Sequence, residues 1–151
     1  MTLRDWLRNR WLVEHKSTPR EIRDLFALAD RDLQAAVTPR LVADWQMNIA
    51  YNAALQLAIL ALSAEGYRVE RQRSHELAIQ SLKFTIDLDQ ERVDALDGVR
   101  RKRNRISYER VGATSHAEAR EVYDLAQELR SEVVRWMTRE HPEMLGAPAP
   151  C

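Results

Sequence analysis

Apolar residues recur along most of this chain at the three- and four-residue spacing of helices, and no segment shows the strict alternation of a half-buried strand. Leu3, Trp6, Leu7 and Trp11 open the pattern with arginines on the other face, which predicts a short amphipathic helix. A membrane-surface helix looks similar. Asp5 and Glu14 interrupt its basic face, however, so the segment is read as packing within a domain.

Ser17-Thr18-Pro19-Arg20-Glu21 is a helix start, with a hydroxyl cap, a proline in the first turn and a glutamate three residues after Thr18. Ile22, Leu25, Phe26, Ala29 and Leu33 then form one stripe. Thr38-Pro39 repeats the start signal and predicts a third helix from Arg40 to Gly66, where glycine caps the C-terminus. Residues 50–62 within it are apolar on nearly all sides, the mark of a central helix. Ser74 is expected to cap a fourth helix with Leu77, Ala78, Leu82 and Phe84 on its buried face. A fifth is expected from about Gln90 to Ser107 and a sixth from about Ser115 to Arg139, opened by a Ser115/Glu118 capping box. The inner face of the last runs through Ala119, Val122, Tyr123, Ala126, Leu129, Val133, Trp136 and Met137. The expectation is an all-α, single-domain bundle of five to six helices over residues 1–140, with a disordered tail at 141–151 that carries Pro142, Pro148 and Pro150.

Composition agrees with helix, since Gly occurs only four times among abundant Ala, Leu, Glu and Arg. Lys and Arg total 23 and so do Asp and Glu, so no global field favours nucleic acid and any such case must rest on local clustering. The single cysteine, Cys151, excludes an intrachain disulfide and a thiolate metal site. No cofactor and no metal are expected. Charges alternate with apolar residues from Met1 to Trp11, unlike a signal peptide. The most apolar run, Ala53 to Ala64, contains Gln56 and Ser63 and is too short for a bilayer. A soluble, cytoplasmic protein is expected, without a membrane partner.

The fifth helix has the most unusual composition. Its stripe begins as Val93, Leu96 and Val99, and at about 100° per residue it continues through Arg100, Arg103 and Ser107. Five of the six residues from Arg100 to Arg105 are Arg or Lys, a density that repels itself unless anions are close. Cations at a helix C-terminus complement its dipole, but usually on the solvent side. An arginine on a packing stripe should instead meet a carboxylate, a phosphate or another subunit. Its planar fork suits a phosphodiester. Structural ion pairing and anion binding both fit. Asp94 and Asp97, one turn apart, are expected to pair with arginines such as Arg101.

Other candidates are weaker. His75 and His116 each follow a serine at a helix start and are read as exposed first-turn residues. His15 and His141 lie near segment ends, without ligand spacing to a carboxylate. Asp87, Asp89 and Glu91 are read as a solvated acidic loop ahead of a cation site. Tyr51 and Asn52 are polar positions of the central helix, and Asn52 could reach toward the fifth. Asn52, if buried, needs hydrogen-bond partners within the core or on a ligand. The four tryptophans are read as packing residues.

The segment Leu96 to Tyr108, LDGVRRKRNRISY, resembles the signature helix of the HEPN superfamily: an arginine, a polar residue such as asparagine, a short spacer and a histidine. The matching pair is Arg103-Asn104. The Ala50-Tyr51-Asn52-Ala53-Ala54 run and the Gly66-Tyr67-Arg68 exit before Ser74-His75 resemble the family's long second helix, so the similarity spans roughly Thr18 to Arg139. The resemblance implies a two-fold homodimer with paired arginine helices around one cleft. It also implies binding of RNA or a nucleotide through Arg100, Arg101, Arg103 and Arg105. Active members of the family are metal-independent endoribonucleases, several acting as toxins or defence effectors beside a nucleotidyltransferase-like antitoxin. Arg103, Asn104 and Tyr108 would then be the catalytic residues, with Arg103 on the scissile phosphate and Asn104 orienting the backbone or the partner helix. Here the sequence departs from the pattern, because Tyr108 stands five residues after Arg103 where the histidine is expected. A phenol of pKa about 10 is a poor general base at neutral pH, although it can donate a hydrogen bond or stack on a base. A non-catalytic dimerisation or adaptor module that binds a protein partner is the alternative. A DNA-binding regulator ranks third, since no helix–turn–helix with a reading helix stands out.

Overall fold

The apolar helix in the middle of the sequence is the axis of the structure. In the computed structural model, which describes residues 1–109 and 114–146 (105–109 by backbone alone), this helix is α3, Ala43–Ala64. Packed against it are α2 (Pro19–Ala35), α4 (Ser74–Thr85), α5 (Gln90–Glu109) and α6 (His116–Glu140). A short α1, Leu3–Arg8, lies outside that set. Six helices make up 74% of the protein among the described residues, so the fold is an all-α helical bundle.

The reason lies in the composition of α3. Ala50, Ala53, Ala54, Ala58 and Ala61 are buried and small, which lets neighbouring helices approach closely, while Leu55, Leu57 and Leu60 fill the spaces between them. Each fully buried leucine contributes about 1.5–3 kcal/mol by leaving water. At 22 residues α3 is long and apolar enough to cross a bilayer, unlike the shorter run read from the sequence, but 72% of its most apolar window is buried inside the bundle. That is the setting of a core helix.

Local chemistry sets the ends of the elements. Thr18 accepts from the backbone N–H of Glu21 and caps α2, and Ser115 with Glu118 forms the expected capping box on α6. Gly66, at φ +93°, follows the end of α3 as anticipated. Thr38 does not start α3: its hydroxyl donates to the Ala35 carbonyl at 2.7 Å and so closes α2. Arg40 then takes a left-handed conformation, φ 66°, and helix resumes only at Ala43. Ser74 does not cap α4 either. Arg73 holds that position, left-handed at φ 59° and without a side-chain cap bond.

Two further differences concern segments too short to carry a period. Leu12–Glu14 (β1) pairs antiparallel with Tyr67–Val69 (β2), Leu12 opposite Val69 and Glu14 opposite Tyr67. This ribbon seats a second apolar cluster of Trp6, Leu12, Leu62 and Leu77, where Trp6 meets Trp11 and Phe84 edge to face. The tail was expected to leave the fold at His141. Instead Pro142–Leu145 form a turn of 3-10 helix, and Met144 and Leu145 pack on the main core. Residues 147–151 lie outside the described part of the chain. Three cross-helix pairs among the described residues tie the bundle: Arg92 to Glu132, at 2.6 and 2.8 Å, and Lys102 to Glu118 join α5 to α6, and Arg130 to Asp30 joins α6 to α2.

Candidate functional site

Val93 and Leu96 of α5 are fully buried, Val99 is half-buried, and the same stripe then carries Arg100 and Arg103, both half-buried. The spacing read from the sequence therefore holds in three dimensions, and cations occupy the packing side of the helix.

Most of the described cations in this run have carboxylate partners. Arg100 donates from Nε to Asp97 Oδ1 at 2.9 Å, with both side chains largely covered. The exposed Arg101 lies 3.6 Å from the other oxygen of Asp97. Lys102 pairs with Glu118 at the start of α6. The carboxylate of Asp97 is thus shared by two guanidinium groups, and the helix end keeps a positive excess there. Asp94 takes another partner than expected, accepting from Gln90 Nε2 at 2.8 Å.

Arg103 is placed differently. Its guanidinium carbon lies 5.4 Å from the ring centre of Tyr51 on α3, within cation–π range. Tyr51 is fully buried and its hydroxyl has no hydrogen-bond partner among the described residues. Burial pushes the Tyr51 phenol up to about 12, against the opposing pull of Arg103 and Arg100, so it stays a neutral phenol. Asp44, Asn48, Tyr51 and Asn52 recur at one-turn spacing, which puts a column of polar groups on one face of an otherwise apolar helix. Asp44 accepts from the backbone N–H of Thr114 at 3.3 Å, and the buried Asn48 side-chain oxygen has no partner among the described residues. Asn52 is half-buried, not fully enclosed.

The start of α4 also feels this charge. His75 is exposed in the first turn, as expected, yet partial desolvation first, then Arg103 and Arg100, hold its imidazole below its usual value, so it is neutral at pH 7. Glu76 is held below the carboxylate range by its bond to Arg73, with Arg100 and Arg101 adding to the effect.

Of the expected site residues, Arg100 and Arg101 meet at Asp97 and Arg103 lies against Tyr51, while Asn104 is exposed. The side chains of Arg105 and Tyr108 lie outside the described residues. His116 sits in an exposed first turn, and Asp89 accepts from the backbone N–H of Arg92 at 3.0 Å as a helix cap. Among the described residues no three His, Cys, Asp or Glu side chains cluster as a metal site. The sequence reading missed the His15–Glu21 pair, Nε2 to the two carboxylate oxygens at 2.8 and 2.9 Å, because the residues between them cross from a strand end into a helix. It also missed Asp44 and Asn48, whose one-turn spacing with Tyr51 and Asn52 was the available signal. Chemically, the helix end can hold an anion by guanidinium forks in a partly dehydrated setting. No family model, no curated protein and no solved structure matches the chain in the comparisons made.

Proposed function

We propose that this chain is a HEPN-like domain that binds RNA or a nucleotide phosphate at the Arg100–Arg105 end of α5, working as a two-fold homodimer in a toxin–antitoxin or defence setting. The observation that carries the proposal is Arg103 held against the buried ring of Tyr51 on a packing stripe. A guanidinium fixed by a ring keeps its planar fork oriented for a phosphate, and Arg100 and Arg101 beside it add positive charge. The reaction to test is metal-independent cleavage. The RNA 2′-oxygen bonds to the adjacent phosphorus, the P–O5′ bond breaks, and the 2′-hydroxyl proton passes through a base to the departing 5′-oxygen. The products are a 2′,3′-cyclic phosphate and a 5′-hydroxyl, and Arg103 would neutralise the charge that builds on the phosphate oxygens.

The deciding experiment is cleavage and binding of a labelled single-stranded RNA by the full chain in EDTA, comparing the parent with Arg103→Ala. The variant should lose cleavage and bind at least tenfold more weakly, with an unchanged circular dichroism spectrum. Equal activity in both proteins ends the assignment.

A second reading, a non-catalytic dimerisation or adaptor module, draws support from the ion pairs Asp97–Arg100, Asp97–Arg101 and Lys102–Glu118, which already serve a structural purpose. Polyanion binding that persists unchanged in Arg103→Ala, with no cleavage by the parent protein, selects that module.

A further inference from the structure

Away from the arginine cluster, the two apolar clusters of the bundle meet imperfectly. The seam is a cavity of 340 Å³ where the first turn of α2, the end of α3, the ribbon and the start of α4 come together. Its apolar wall is built from Ile59, Leu62, Val69 and Ala78. Four polar features stand around that wall.

Ser63, on α3, lines the cavity and is only 2% exposed, yet its hydroxyl has no hydrogen-bond partner among the described residues. Serines near a helix end ordinarily bond back to a carbonyl one turn earlier, and a buried hydroxyl left unmade costs about 1–3 kcal/mol. Arg68, on β2, lines the same cavity, is exposed, and makes no ion pair among the described residues. Glu21 also lines it, but both its oxygens are engaged by His15. His75 completes the rim.

We propose that this cavity is a binding site for a small carboxylic acid with an apolar body. The apolar wall takes the body, the Arg68 guanidinium takes the carboxylate by its fork, and the Ser63 hydroxyl donates to a carboxylate oxygen. A free cation and an unused donor beside an apolar wall select a monoanion over a neutral or cationic molecule of the same shape. The volume lies within the usual range for small-molecule sites, which begins at about 300 Å³. The site does not draw on the reading of α5.

The test is a titration of the full ¹⁵N-labelled chain with sodium benzoate at constant ionic strength, beside benzyl alcohol as the uncharged analogue. Saturable amide shifts centred on Ile59, Ser63, Arg68 and His75 are expected, with a Kd on the order of millimolar and at least tenfold weaker binding of benzyl alcohol. Arg68→Gln, at an exposed strand position, should weaken benzoate at least tenfold, and Ser63→Ala should weaken it about fivefold without loss of the fold. Shifts that stay linear with concentration, shifts centred elsewhere, or equal affinity in Arg68→Gln each overturn the site.

Discussion

The guanidinium of Arg103 lies over the ring of Tyr51, so the most buried phenol of α3 sits beneath a cation of the basic helix. Two different contributions are separable here. The ring supplies packing and cation–π attraction, while the hydroxyl, lacking a partner, supplies only a desolvation cost. Tyr51→Phe should therefore be neutral or stabilising by about 1 kcal/mol or less in urea unfolding, and should leave RNA affinity unchanged. Tyr51→Leu, which removes the ring, should weaken RNA binding. A Tyr51→Phe protein destabilised by more than about 1 kcal/mol would show that the hydroxyl is satisfied.

His75 offers an independent reading of where Arg103 sits. Its imidazole is held below the usual value of 6.5 by burial first and by Arg103 and Arg100 second. Its folded value is depressed, so its contribution to stability is present above about 6.5 and is lost as pH falls through the folded value. Proton NMR of the His75 ring should show titration below 6.5, and Arg103→Gln should bring it part of the way back. An unmoved His75 titration in that variant places Arg103 elsewhere.

The bundle was legible because residues such as Ile22, Ala29, Val93, Leu96, Ala126 and Val133 carry a helical period over several turns, and each of them is buried. The ribbon was not, because three residues such as Leu12–Glu14 cannot display a period of two. Thr38-Pro39 misled because a hydroxyl beside a helix can serve the end of one element as well as the start of the next, and Ser74 misled because the cap position falls one residue earlier, at Arg73. Arg103 was found by phase alone. Its partner Tyr51 could not be, since a cation–π contact across about fifty residues leaves no spacing in the sequence.

The Lys102–Glu118 pair predicts a feature of acid unfolding. The Lys102 bond and the backbone N–H of Ser115 hold the Glu118 carboxyl below its ordinary 4.5. A carboxyl with a depressed folded value stabilises the protein above about 4.5 and loses that effect as pH falls through the folded value. Glu118→Gln should flatten the stability profile below pH 4.5 and leave it parallel to the parent above pH 6. Superimposable acid limbs would mean that the pair contributes nothing in solution.

Arg92 and Glu132 provide the sharper electrostatic test, since both side chains are 29% exposed and meet by two parallel bonds. The surface pair Arg8–Asp5 differs, with Arg8 at 76% exposed and one turn from its partner. Solvent screens the second pair, and side-chain entropy cancels most of what remains. A double-mutant cycle with Arg92→Met and Glu132→Gln should give a coupling of about 1 kcal/mol, against near zero for the exposed pair. Because Arg92 is also held by Asp89, the residue that caps its helix, Glu132→Gln alone should cost less than Arg92→Met, which frees both carboxylates at once. The reverse order would place the stabilisation in Glu132 packing on α6 and not in the bridge between α5 and α6.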